Sequence, residues 1–201
     1  MWLFNYIKSR LGLTPVLCAE GVIKVSINDK STVLFSCHVD TVHGQQESES
    51  GKAQNLLYDP NFSHLYLSKD SGSGCLGGDD GVGIYIMLEM LRRKVEGHYV
   101  FHTGEECGGI GARAFVKSNG LWLRENIEQV VAFDRAVQDD ANPEVIITQG
   151  GRACASERYG KALAEALNKV PFAKPYITST RGAFTDSKLY ADDVPECVNL
   201  G

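Results

Sequence analysis

The sequence predicts an α/β fold: a three-layer sandwich with a mainly parallel central sheet flanked by helices. Three observations predict it. Strand-like apolar runs alternate with helical patterns along the chain, as units that return to one parallel sheet require. One of those runs, TVLFSC at 32–37, is almost continuously apolar, as a central strand covered on both faces should be. Acids and an imidazole stand just past the ends of such runs, at His38, Glu105-Glu106 and Asp134, and open α/β sheets collect their sites at that edge.

The elements follow in order. Trp2, Leu3, Tyr6, Ile7 and Arg10 fall at helical spacing and predict a first helix ending near Gly12. VIKVSI at 22–27 alternates like a half-buried strand, 28–30 is a turn, and the run at 32–37 follows. Residues 43–73 read as a polar insertion carrying a hairpin around the alternating HLYL at 64–67. A buried helix at 82–91, a strand at 98–103, a helix at 110–117 and strands at 130–133 and 144–148 come next. Ser156 caps a helix through Leu167, with Tyr159, Leu163 and Leu167 on one face. Residues 177–186 read as loop, 187–191 as one helical turn and 197–200 as a last strand.

Composition narrows the function. The length of 201 residues fits one domain. A net charge of −5, with no basic cluster beyond Arg92-Arg93-Lys94, argues against nucleic acid or an anionic membrane as partner. No apolar run approaches the ~20 residues of a membrane span. The first dozen residues lack the pattern of a signal peptide. Six scattered cysteines without a CxxC predict reduced, mostly buried thiols in a cytoplasmic protein rather than a disulfide framework or a cysteine-held zinc.

The chemistry centres on LGGDDGVG at 76–83, where two carboxylates lie in a glycine bed ahead of an apolar helix. Unpaired N–H groups at a helix start favour negative charge there. In HVDTV, His38 and Asp40 are two apart, so in an extended segment both point the same way and Asp40 supports the imidazole. Glu105 and Glu106 lie among glycines, and Asp134 follows an apolar run where a carboxylate needs a cation or a metal, Arg135 being the plain alternative.

FSCHVDTV, LGGDDGVG, HTGEECGG and AFDRA, followed by GAFTDSKLY and VPECVNL, resemble the co-catalytic zinc exopeptidases. The match embraces both the single-domain aminopeptidase type and the two-domain peptidase T type, over roughly residues 32–200. The resemblance implies that His38 and Asp134 bind one zinc, that Asp79 bridges two ions, and that Glu106 binds the second. It implies Glu105 as general base and a cis peptide between Asp79 and Asp80. Manganese or cobalt would suit the same ligands. The implied reaction is hydrolysis of an amide bond in a peptide or aminoacyl substrate.

Two departures refine this expectation. The fifth ligand of such enzymes is a histidine after the strand that corresponds to 197–200; the chain as given stops at Gly201, and His43, His64, His98 and His102 stand elsewhere. The chain is therefore expected to be truncated or a degenerate member. The lid domain of peptidase T-like enzymes, on the order of 100 residues, has no room where 40 residues separate His38 from Asp79 and 19 separate Asp134 from Cys154. One catalytic domain over 1–201 is expected, of the aminopeptidase type.

Other readings stay open at this point. They are a dipeptidase, carboxypeptidase or deacylase of the peptidase T-like group, and a non-catalytic peptide-binding member. Asp186 is a candidate for holding a substrate ammonium, and Arg152 or Arg181 a substrate carboxylate. The GxGxxG at 72–77 is a poor dinucleotide site, because Asp79 and Asp80 would repel a pyrophosphate. Cys107 is a poor nucleophile beside two carboxylates that raise a thiol pKa.

Overall fold

The computed structural model describes residues 1–42, 54–134, 141–171 and 174–201. The chain begins with α1 (Trp2–Ser9), β1 (Val16–Leu17), β2 (Ile23–Ile27) and β3 (Val33–His38). A hairpin of β4 (Leu56–Asp59) and β5 (His64–Leu67) precedes α2 (Gly78–Arg92) and β6 (Gly97–His102). Then come α3 (Ile110–Asn126), β7 (Gln129–Ala132), β8 (Glu144–Ile146) and a small pair, β9 (Thr148–Gln149) with β10 (Arg152–Ala153). The last elements are α4 (Glu157–Leu167), β11 (Ile177–Ser179), a 3-10 turn at Asp186–Tyr190 and β12 (Glu196–Leu200).

Eight strands form one sheet in the order β1-β2-β6-β3-β7-β12-β8-β11. Its centre, β6-β3-β7-β12, is parallel throughout, while β1, β2 and the β12–β8 pairing are antiparallel. Leu3 and Ile7 of α1 and Met87 and Leu91 of α2 pack on Val25, Tyr99 and Phe101. Ala164 of α4 packs on Val131, Val145 and Val198. Phe35 and Phe133 touch both clusters, so these three helices cover one face. On the other face Ala112, Phe115 and Leu123 of α3 and Tyr190 meet Leu34, Val100, Val130 and Cys197. This is the three-layer arrangement that the alternating pattern predicts. Because β3, β6 and β7 run the same way, their carboxyl ends deliver His38, Glu105-Glu106 and Asp134 to one edge.

The structure departs from the sequence reading in four places. The helix expected at 110–117 runs on through Asn126. Ser118-Asn119-Gly120 are weak helix formers, yet Leu123 is fully buried beyond them and the Asn119 side chain donates back to the Phe115 carbonyl at 2.9 Å. Tertiary burial outweighs local preference here. Residues 177–179, read as loop, form an edge strand paired with β8; three residues show no readable period. The strand expected at 144–148 breaks after Ile146, and β9 turns back on β10. The chain before β2 also holds β1 and a 3-10 turn at Ala19–Gly21. Of the insertion expected at 43–73, residues 43–53 lie outside the described residues, and the rest contains the hairpin.

Cys37, Cys154 and Cys197 are buried, Cys18 and Cys75 half-buried and Cys107 exposed. Among the described residues no helix is long and apolar enough to cross a membrane.

If the distal half of α3 anchors the core, Leu123→Ala should lower unfolding free energy by about 2–5 kcal/mol in urea. A loss below about 0.5 kcal/mol, typical of a surface change, would contradict it.

Candidate metal centre

His38 ends β3 with its ring almost fully buried. Its Nδ1–H donates to the Asp40 carbonyl at 2.8 Å. Its Nε2 lies 2.9 Å from Asp79 Oδ1 and 3.7 Å from Asp134 Oδ1. The sequence spacing predicts that the Asp40 carboxylate orients this ring. That carboxylate is 3.7 Å from Nδ1, and the orienting acceptor is the backbone carbonyl instead, because the chain turns past the strand end. The carboxylate serves elsewhere, accepting the Glu105 and Glu106 backbone N–H groups, each at 3.2 Å. Asp40 thereby ties the end of β3 to the loop after β6.

Asp79 follows Gly77, whose φ of +69° suits glycine. The Asp79-Asp80 peptide is cis, the isomer that the resemblance implies. Regular helix starts only after these two residues. Asp80, assigned no role by the sequence, is buried; Oδ1 accepts the Gly83 N–H at 3.0 Å and Oδ2 the His38 N–H at 3.3 Å. It caps α2 and holds that helix against β3, which leaves Asp79 to project beside His38. Gly83 permits this closeness, since a Cβ there would collide with the Asp80 carboxylate and the Phe133 carbonyl. Asp134 is fixed by its backbone: its N–H donates to Asn199 Oδ1 at 3.0 Å, and Asn199 Nδ2 donates to its carbonyl at 2.6 Å. Asn199 is a second residue that sequence reasoning missed; a polar residue inside the apolar strand ECVNL was the available signal.

Two sets of donor atoms result, each gathered within 4.8 Å: His38, Asp79 and Asp134, and His38, Glu105 and Glu106. His38 belongs to both. Arg135 lies outside the described residues.

The electrostatics are those of too many carboxylates for one imidazole. Burial, then the Asp134 charge, pushes the Asp80 carboxyl up to about 8. Burial, then the Asp134 and Asp186 charges, raises Glu105 to about 7. Burial and the Asp79 charge raise Glu106, and burial raises Asp134 against the pull of His38. For His38, burial acts to lower the pKa, but the nearby Asp134 carboxylate and the charge of Asp80 outweigh it and carry it to about 10. Among the described residues, this set of oxygens with one imidazole, in which burial and neighbouring charges raise Asp80, Glu105, Glu106 and Asp134, suits a divalent cation. The residues present fit a metal.

Of the cations offered for a substrate carboxylate, Arg152 is engaged by Asp192 and Arg181 lies in solvent. Arg152 forms a fork with Asp192 at 2.7 and 3.3 Å, and Arg181 is 86% exposed, 4.0 Å from Glu144. Asp186 is only 4% exposed and faces His102, so it presents no open carboxylate to a substrate ammonium. His102 is fully buried against Asp186 and Tyr190. His98 is held between Ser26 and the Ser31 carbonyl, and His64 sits in the hairpin. A cleft of about 640 Å³ opens beside Asp79 and Asp134, lined by Val82, Ile86, Phe133 and Leu200.

No curated protein matches the chain. Solved structures share its fold. The aminopeptidase APDkam598 from the archaeon Desulfurococcus kamchatkensis superposes with a TM-score of 0.63 at 15% identity, over 99% of this chain and 79% of that one. The LapA aminopeptidase of Legionella pneumophila gives 0.61 at 17% identity, over 99% and 50%; this chain therefore spans about half of that protein. The TET1 peptidase of Pyrococcus horikoshii, which assembles into a tetrahedron or a large octahedral shell, gives 0.59 at 13%, over 99% and 83%. Residues 22–193 match the family model of peptidase family M28, and this chain belongs to that family of metal-dependent peptidases.

Proposed function

We propose that the chain is an aminopeptidase-type exopeptidase that uses zinc, with His38, Asp79 and Asp134 around one ion and Asp79 and Glu106 around a second. The observation that carries this reading is the two donor sets that share His38, one with Asp79 and Asp134 and one with Glu105 and Glu106, Glu105 being buried at a pKa of about 7; Asp79 as the bridge to the second ion is what the resemblance implies. When bound, divalent ions polarise the scissile carbonyl and acidify the attacking water. The Glu105 carboxylate accepts the proton of that water and returns it to the leaving amine, a role suited to a group whose pKa lies near neutrality. Asp40 fixes Glu105 through its backbone N–H, and the Asp40 carbonyl fixes the His38 tautomer so that Nε2 faces the ion.

Among the described residues the exposed groups of the donor sets are carboxylates: Asp79 is 69% exposed and Glu106 is exposed. That favours a substrate with a free ammonium end over one with a free carboxylate, and the Arg152 guanidinium is paired with Asp192. The non-catalytic peptide-binding reading keeps one observation in its favour: among the described residues His38 is the imidazole of both donor sets. We read the site as belonging to one catalytic domain with no lid inserted between its site residues, working in the cytoplasm.

Glu105→Gln should leave metal content intact and lower kcat on an aminoacyl amide by about 10²–10⁴-fold. Retention of full turnover would remove Glu105 from the chemistry.

Calorimetric zinc titration of the 201-residue chain should show one tight ion and a second at least about tenfold weaker. In the proposed arrangement the second ion has carboxylates alone, without the imidazole that the first has, and that difference weighs no less than an outer partner, whose loss costs roughly 10–100-fold. Because His38 holds its proton up to about pH 10 in the metal-free protein, the first ion must displace it. Affinity should therefore rise with pH below 10, and buffers of different ionisation enthalpy should report proton release at pH 7.5. Two equally tight ions, or binding without proton release, would contradict this.

A further inference from the structure

We infer that Asp186, in the GAFTDSKLY segment, is a positioning residue for the metal centre, acting from beneath on the loop that carries Glu105 and Glu106. The inference rests on the metal-centre reading above. Asp186 opens the 3-10 turn at 186–190, and its carboxylate is buried. Its Oδ2 is 3.1 Å from His102 Nδ1, but off-line, so that among the described residues neither oxygen receives a well-directed hydrogen bond.

The surroundings show what this carboxylate faces. Tyr190 is fully buried, and burial pushes its phenol well up, so it keeps its proton. The Asp186 carboxylate can only accept, which sets a ring N–H of His102 on Nδ1; the Tyr190 hydroxyl, 2.6 Å from Nε2, then donates to it. On its other side Asp186 abuts Gly109, where φ is +72° and a Cβ would stand 3.1 Å from Oδ1. His102 is three residues before Glu105, and Gly109 three after Glu106. Asp186 thus touches both shoulders of the loop, while the Asp40 carboxylate holds its crown.

A carboxylate this buried is costly unless a cation lies near. His102 supplies at most part of that. The Asp186 charge also bears on Glu105 and Asp134, raising both, so it adds to the negative potential in which the ion sits. Its removal should loosen the loop and weaken the ion together.

The test is zinc affinity of the tight site, by competition with a chromophoric chelator, on the full chain. Asp186→Asn keeps the shape and removes the charge; it should weaken zinc by about 10–100-fold, the effect of losing an outer partner of a metal ligand. The far-ultraviolet circular dichroism of the metal-free protein should be unchanged, and Asp186→Glu should recover part of the affinity. His102→Gln should weaken zinc in the same direction, and the double variant little more than the stronger single one. Unchanged affinity in a folded variant overturns the assignment. If neither single variant folds, the pair is structural and the assignment is equally overturned. A wild-type chain that takes up no zinc would instead overturn the metal-centre reading, and this inference with it.

Discussion

Carboxylates from three separate segments, Asp79, Glu105-Glu106 and Asp134, face one imidazole at the carboxyl edge of the sheet, and their mutual repulsion is the constraint on which the rest of the structure depends. Burial and neighbouring negative charge raise Asp80, Glu105, Glu106 and Asp134, and the positive charge that bears on all four is that of His38. Such a cluster is held together by its scaffold until a cation relieves it. That is why so much of the local structure is devoted to pinning backbone. Asp40 pins the Glu105-Glu106 loop, Asp80 pins α2 to β3, and Asn199 pins Asp134 to β12.

These clamps link the fold to the chemistry. A parallel centre of β6-β3-β7-β12 brings the strand ends to one edge, but strand ends alone leave side-chain direction open. The direction comes from the Asp40, Asp80 and Asn199 side chains, which bridge neighbouring segments by hydrogen bonds to backbone N–H or carbonyl groups. Outer partners of this kind orient metal ligands and set their basicity. The same logic extends below the loop to the His102–Asp186 contact. Membership of peptidase family M28 accords with a site of this construction on this fold.

The sequence was legible where local pattern and tertiary role agree. The apolar run ending at His38 marked β3 and its polar end, and Ser156 marked the start of α4, where its Oγ accepts the Tyr159 N–H at 3.1 Å. The HLYL alternation marked the hairpin. Legibility failed where a distant partner decides. The far half of α3 is helical because Leu123 is buried, and β11 is a strand because β8 lies beside it. Asp80, Asn199 and Asp186 are invisible as site-builders in one dimension, since their partners lie at residues 38, 134 and 102. The spacing puts Asp40 near His38, but which of its groups faces the ring depends on a turn that spacing does not encode.

The central claim is that a cation belongs among His38, Asp79 and Asp134. Crystals grown with zinc, measured on both sides of the zinc absorption edge, test it most directly. The account predicts an anomalous peak about 2.0–2.2 Å from His38 Nε2 and from carboxylate oxygens of Asp79 and Asp134. No anomalous density at that position in zinc-saturated crystals, with the three side chains packed against one another as an ordinary ion pair, would contradict it.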